Sequence, residues 1–426
     1  MSFFTLKKAI NIALILSTLF FTACSLKKPT NLSINDLEKN SVLANNDFIK
    51  QEQESKKFLE KHFYPWKQKK VTYSKKEAMW GFSYKSKKIY LENHRKADKS
   101  WFDKQIDNSN FDDYNTVLKK AITLKNTNVR VFPTNSVMFY NPIKQGEGFP
   151  FDYNQNSLLK INSPIFVSHY SKDKAWAYIQ SSTVGGWVLI SDIVFVDEKF
   201  INEFKTKDYF VSIKEKFPIY DTTFREYVKI ATIFPKKYGK YLIASKNYDK
   251  TASVIYTDIS EKNISSMPLK FNEENRIAIA KSLINEPYGW GGLLNNRDCS
   301  SFTQDYFAVF GKYLHRNSRS QTTNGKYVDI SNLSNKEKKE FISKNAVPFS
   351  TLVYLKGHIM LYIGNKNNEP LVMHNIWSVR LKNIWGTKSR HIIGKASITT
   401  LEPGKNLNNF DEENNVLKKI KGIVIL

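Results

Sequence analysis

Apolar residues recur along the chain with periods that change from stretch to stretch, and each change marks an element or a domain. Over residues 46–125 the pattern is mostly helical and polar. Phe48, Phe58, Leu59 and Phe63 fall at near-helical spacing until Pro65-Trp66 breaks the run. Two more helix-like stretches are predicted, from Lys87 to Phe102 and from Asp113 to Leu124. From Asn126 the period shortens. Val129 to Thr134, Pro164 to His169, Ala175 to Ile179 and Gly186 to Val188 read as short strands, separated by turn residues such as Ser171-Lys172-Asp173. This spacing predicts a small β-barrel over 126–200, with Trp187 in its core. Residues 201–270 repeat the theme in Phe217–Tyr220, Lys229–Pro235 and Tyr241–Ile243, predicting a second, more divergent barrel. The alternative is that both are β extensions of a single later core. A helical stripe returns over Asn272–Ile284, with Ile277, Ala280, Leu283 and Ile284 on one face. It opens a last domain, 271–426, of mixed helix and strand. The fold class is α+β.

At 426 residues the chain is too long for one ordinary core. With 41% hydrophobic and 14% aromatic residues it is neither disordered nor fibrous. A formal charge of +25 biases it toward polyanions, which leaves nucleic acid, anionic lipid and acidic wall polymers as partners. Its lysines are scattered, and no recognition helix, OB-type or Cys/His zinc pattern accompanies them, so nucleic acid is set aside.

The first residues choose among the rest. Lys7 and Lys8 form a basic n-region, Ala9 to Phe21 is an apolar run short for a bilayer, and Phe21-Thr22-Ala23 precedes Cys24. The pattern resembles a bacterial lipoprotein signal over 1–23, with Cys24 as the lipidated residue and Phe21 where Leu is usual. An ordinary secretory signal is the rival. The resemblance implies a periplasm-facing protein held in a membrane by lipid; Ser25 favours the outer membrane. Residues 24–45 read as a polar tether.

Cys24 and Cys299 are the only cysteines. With Cys24 lipidated, the exported protein keeps one thiol and can form no internal disulfide. The count excludes a multi-cysteine zinc site, and no metal or cofactor is called for. An unpaired exported thiol is a liability unless its chemistry is used.

Its setting suggests a use. Pro287-Tyr288-Gly289-Trp290-Gly291-Gly292 leads into Asp298-Cys299-Ser300-Ser301-Phe302, and Phe302, Tyr306, Val309 and Phe310 follow at helical spacing. Asp298 and Ser300 are helix-start residues, so Cys299 is expected at a helix N-terminus, where the helix favours thiolate and free N–H groups can hold an oxyanion. Downstream, His358 lies in the strand-like run Leu355–Gly364 and His374 in Pro370–Asn375, spaced for adjacent strands of a hairpin. A Cys at a helix start facing two His on a sheet suits nucleophilic catalysis. His358 would be the base and His374 would hold its tautomer. A lone strand histidine is more often a packed one; His62 and His94 are read as solvated or packing residues and His391 as structural.

These segments, with "HRNSRSQ" at 315–321, "GHIMLYIG" and "VMHNIW", resemble the NlpC/p60 family of peptidoglycan endopeptidases, over about residues 272–400. The resemblance implies a papain-like catalytic domain preceded by two SH3-like barrels and a helical N-terminal region. It also implies hydrolysis between γ-D-glutamate and a diamino acid in peptidoglycan stem peptides, through Cys299, His358 and His374. Tyr288 would assist at the oxyanion. Asp298 and Ser300 would hold the substrate's free amine, although helix capping alone would explain Asp298. His315 stands where Pro is frequent. The rival functions are another peptidoglycan amide hydrolase, cutting cross-links or the muramoyl–alanine bond, and a wall-binding lipoprotein without catalysis. No sequence signal bears on oligomeric state.

Overall fold

The structure is a computed structural model describing residues 32–36, 48–144 and 146–426. The signal segment and Cys24 lie outside the described residues. Of the tether only 32–36 are described, and there Ile34 is buried against the core of the last domain.

Helix α1 (Phe48–His62) lies where the apolar spacing predicts it. Its Gln51 Nε2 donates to the carbonyls of Leu269, at 2.7 Å, and Phe310, at 3.1 Å. Phe63 and Trp66 then enter a cluster with Ile122, Val194, Phe204 and Leu242, so the N-terminal region clasps both β modules. The two other helical expectations fail in instructive ways. Between Lys87 and Asp98 the chain forms bridges from Tyr90 to Lys96 and Phe139, because His94 turns it with φ 61°. Helix α2 (Lys99–Asn108) starts only where the Asp98 carboxylate accepts from Trp101 N at 2.7 Å. Downstream, left-handed Asn115 and Leu118 end helical structure, and Lys119–Thr123 pairs as a strand.

That strand, β1, belongs to a seven-stranded antiparallel sheet. The others are β2 (Thr127–Arg130), β3 (Gln155–Leu159), β4 (Pro164–Tyr170), β5 (Trp176–Gln180), β6 (Gly185–Leu189) and β7 (Ile193–Phe195). Trp187 is 1% exposed in its core. After α3 (Glu198–Phe204) comes a second module. It has a five-stranded sheet of β8 (Asp208–Ser212), β11 (Ile233–Lys237), β12 (Lys240–Lys246), β13 (Ala252–Thr257) and β14 (Ile264–Ser266). A hairpin of β9 (Phe217–Tyr220) and β10 (Phe224–Val228) accompanies it.

The last domain begins with α4 (Glu273–Leu283), capped by Asn272. Ile279, Ala280 and Leu283 are its buried apolar residues, while Ile277 and Ile284 sit at the margin. Helix α5 (Cys299–Ala308) packs on a six-stranded sheet ordered β15-β20-β16-β17-β18-β19. These strands are β15 (Lys326–Asp329), β16 (Thr351–Leu355), β17 (His358–Lys366), β18 (Glu369–Lys382), β19 (Lys388–Thr400) and β20 (Ile420–Ile425). Alternation along β17 decides the two faces. Ile359, Leu361 and Ile363 join Phe302 and Tyr306 of α5, while Met360 and Tyr362 face a second core that includes Ile342 of α6 (Asn335–Asn345). The helix carrying the thiol is thereby seated on the strands carrying both histidines.

Candidate active site

Cys299 is the first residue of α5 and is 8% exposed. A reciprocal cap fixes the helix start: Ser301 N donates to Asp298 Oδ1 at 2.8 Å, and Asp298 N to Ser301 Oγ at 3.0 Å. The preceding Gly-rich loop is held against the first barrel. Gly291 (φ 58°) lies so close to Gln155 that a Cβ would stand 2.3 Å from its carbonyl oxygen. Behind Cys299, Gln321 Nε2 donates to Ser300 O at 2.8 Å and Thr303 Oγ1 donates to Gln321 Oε1 at 2.7 Å, fixing the first turn.

The two histidines meet across β17 and β18, with His358 Nε2 and His374 Nδ1 2.7 Å apart. On its far side His374 Nε2 lies 3.0 Å from Thr399 Oγ1, and that hydroxyl donates to Thr400 O at 2.8 Å. A hydroxyl has one proton, so Thr399 accepts from His374 Nε2–H. His374 Nδ1 is then the acceptor, His358 Nε2 the donor, and His358 Nδ1 keeps a free lone pair. The backbone N–H of Ile359, next to His358, hydrogen-bonds the Cys299 sulfur.

Burial sets the resting charges. It pushes the Cys299 thiol up to about 12, with the Asp298 carboxylate adding to the effect. It pushes His358 down to about 4 and His374 well below the usual range. The helix terminus was expected to favour thiolate. Such a terminus contributes only about 0.3–1 kcal/mol at a surface, and desolvation of a buried thiolate outweighs it. The site rests as neutral thiol and neutral imidazole.

Asp298 is also engaged from outside its helix. Arg316 Nη2 donates to Oδ2 at 2.7 Å and Nη1 to Oδ1 at 3.1 Å, while Gly291 N and Ser300 Oγ add 3.1 Å and 3.0 Å contacts. Arg316 further donates to Ser300 Oγ and, from Nε, to Ser157 Oγ of the first barrel at 2.8 Å. Arg316 lies in the 315–321 segment, but no local pattern reveals which carboxylate it meets. Tyr288 lies beside these groups; burial, then the proximity of Cys299, raises its phenol well above the ordinary value.

Cys299, His358, Tyr288, Asp298 and Ser300 line one groove. One wall is aromatic: Phe151 stands 5.4 Å from Trp290, 6.0 Å from Tyr288 and 6.4 Å from Trp377, and Tyr153 lies 5.4 Å from Trp290. In the sequence Phe151, Asp152 and Tyr153 stand out after a Pro-rich, Gly-containing loop of the first barrel, but no motif aligns them with the site. Between them Asp152 turns inward to a buried ion pair with Arg130 at 2.7 Å. His62 packs between Phe58 and Phe63, and exposed His94 and half-buried His391 stand outside this groove.

Behind the groove a buried ionic network joins three modules. Arg297 binds Glu215 of the second module and Asp305 of α5, each at 2.6 Å. Lys229 reaches Glu215 at 2.9 Å, and Lys160 of the first barrel pairs with Asp305. The Arg297 carbonyl accepts from Gly289 N and Asn375 Nδ2, so the residue two before the thiol is anchored through both its side chain and its backbone.

Comparison with known proteins follows these modules. Residues 285–381, which include Cys299, His358 and His374, match the NlpC/P60 family. Residues 138–189 match an SH3 domain of the SH3b1 type, and residues 13–114 match the NLPC_P60 stabilising domain, N-terminal. Among solved structures, a novel NlpC/P60 endopeptidase from Photobacterium damselae subsp. piscicida superposes with a TM-score of 0.83 at 24% identity, covering 94% of this chain and 99% of that one. An NlpC/P60 family protein from Bacillus cereus ATCC 10987 gives a TM-score of 0.41 at 15% identity, with 63% and 81% covered. No curated protein matches the sequence significantly. The chain therefore carries an NlpC/P60 catalytic domain, preceded by an SH3b domain and an N-terminal NlpC/P60 stabilising domain.

Proposed function

We propose that this peptidoglycan hydrolase is a cysteine peptidase that cuts between γ-D-glutamate and the diamino acid of cell-wall stem peptides. The observation that carries the reading is the His358–His374–Thr399 chain, in a groove that His358 shares with Cys299, the only thiol of the catalytic domain; the tautomer it implies leaves a lone pair on His358 Nδ1. Because thiol and imidazole rest neutral, proton transfer from Cys299 to His358 Nδ1 accompanies attack on the carbonyl carbon. The oxyanion meets the N–H of Cys299 at the helix start and the Tyr288 hydroxyl. His358 then protonates the departing amine, and water hydrolyses the Cys299 thioester, with His358 accepting its proton.

Asp298 and Ser300 are the proposed contacts for the substrate's free amine. An ammonium there shares a carboxylate already held by Arg316, so its contribution is smaller than that of an exclusive pair. The signal-like N-terminus, Lys7-Lys8 through Cys24, supports a reading in which the enzyme is exported, lipidated at Cys24 and held facing the periplasm, with Ser25 favouring the outer membrane. Membrane recovery of the wild type, and its loss in Cys24→Ala, tests the anchor.

Bond specificity is tested by digesting purified sacculi and defined muropeptides and weighing the products. Fragments ending in γ-D-glutamate are expected. Free lactyl-muramic acid ends would point instead to a muramoyl–alanine amidase, and loss of cross-links alone to a cross-link endopeptidase.

A further inference from the structure

Past Cys299 and His358 the groove continues along the outer half of the β18–β19 hairpin and ends on the C-terminal segment. There Arg380 of β18 and Arg390 of β19 are direct cross-strand partners. Lys419, from the helical turn Val416–Lys419, lines the same end. Like charges facing each other on paired strands repel, and the effect is felt at Arg390 and Lys419. Burial and Arg380 lower Arg390, and burial, Arg380 and Arg390 lower Lys419.

Nearby carboxylates are otherwise occupied. Glu147, which acts on Arg390, is bound by Lys144; Asp411, which acts on Lys419, caps Asn414; Glu413 pairs with Lys382. Arg390 is nonetheless held in place. Its Nη1 donates to Ser378 Oγ at 3.0 Å, and its guanidinium lies against Gly146, where a Cβ would stand 2.6 Å from Cζ. Three cations converge on one groove end with a fixed guanidinium among them, an arrangement that an anion would relieve.

The position says which anion. The arm of the groove at Asp298, Ser300 and Arg316 abuts the first barrel through Ser157. Trp377 and Arg380 line the same groove as His358, on the part of β18 that continues beyond its last pair with β17, Leu361–Met373, and Gly146, Phe149 and Phe151 of the first barrel reach this end too. On the proposed mechanism, on which this inference rests, His358 protonates the leaving amine, so the groove on the His358 side, where β18 carries Arg380, receives the leaving half of the peptide. The geometry points to an anion subsite in which Arg380, Arg390 and Lys419 take the carboxylates of the residue released from the C-terminal side of the scissile bond.

The test compares L-Ala-γ-D-Glu-diaminopimelate with its carboxylates on the diamino acid free or amidated. For the wild type, kcat/KM is expected to favour the free acid by about tenfold or more, as for a charge-assisted contact. In Arg380→Gln and Arg390→Gln the ratio should fall toward one, with far-UV circular dichroism unchanged. Binding of both peptides to Cys299→Ala is titrated calorimetrically in parallel, so the preference is read even without cleavage. Cleavage and binding both indifferent to amidation would overturn the subsite and leave the peptidase reading intact. A carboxylate preference in binding without cleavage by the wild type would retain the subsite and remove the peptidase reading. A preference that survives both substitutions would also overturn the assignment.

Discussion

Thr399 accepts from His374 Nε2 at 3.0 Å because its own proton is committed to the Thr400 carbonyl. The tautomer of His358, the proposed base, is thus set by a threonine hydroxyl. Thr399→Val removes the acceptor and lets His374 protonate Nδ1 instead, which leaves His358 with its lone pair turned the wrong way. We expect kcat to fall by about ten- to a hundredfold, within the range of positioned acid–base catalysis, with Thr399→Ser close to wild type. Equal losses in both variants would reduce Thr399 to packing.

His374 itself acts as an acceptor. His374→Asn and His374→Gln retain a carbonyl oxygen that can accept from His358 Nε2–H, and His374→Leu does not. Appreciable residual activity is expected in the first two and a much larger loss in the third. If all three lose activity alike while their melting temperatures drop together, the residue is structural.

The neutral resting pair predicts a particular pH dependence. Activity needs unprotonated His358, so kcat/KM should fall as pH drops through about 4 and stay level through neutrality. The buried thiol, raised to about 12, should react slowly with iodoacetamide at neutral pH and faster as alkali approaches that value. Rapid alkylation with a midpoint below neutrality would reveal a preformed thiolate–imidazolium pair.

Removing Arg316 leaves the Asp298 carboxylate buried without its bidentate partner. Arg316→Ala is expected to cost about 3–5 kcal/mol in denaturant unfolding. Part of that should return in the double variant with Asp298→Asn, because neither charge is then stranded. Simple additivity of the two substitutions would show the pair to be independent.

The local part of this site was legible in the chain. Asp298, Cys299 and Ser300 carry a helix-start signature within the five residues Asp298–Phe302, and His358 and His374 lie on runs whose alternation fixes their strands. What was hidden depends on partners far along the sequence. Arg316 meets Ser157, Arg297 meets Glu215, and the aromatic wall takes Phe151 and Tyr153 from a different module. The failed helix over Lys87–Phe102 has the same origin: Tyr90 finds backbone partners in Phe139, a long-range choice that local spacing does not encode. The thiolate expectation failed because a helix terminus is visible in sequence and the depth of burial is not.

The proposed acyl transfer through the Cys299 thiol at the γ-D-glutamyl bond is read most directly from its products. The direct measurement is mass spectrometry of L-Ala-γ-D-Glu-diaminopimelate incubated with wild type and with folded Cys299→Ala. L-Ala-D-Glu and free diaminopimelate are expected from the wild type, and intact peptide from the variant. Full turnover by Cys299→Ala, or wild-type products cut at the L-Ala–D-Glu bond, would contradict the proposal.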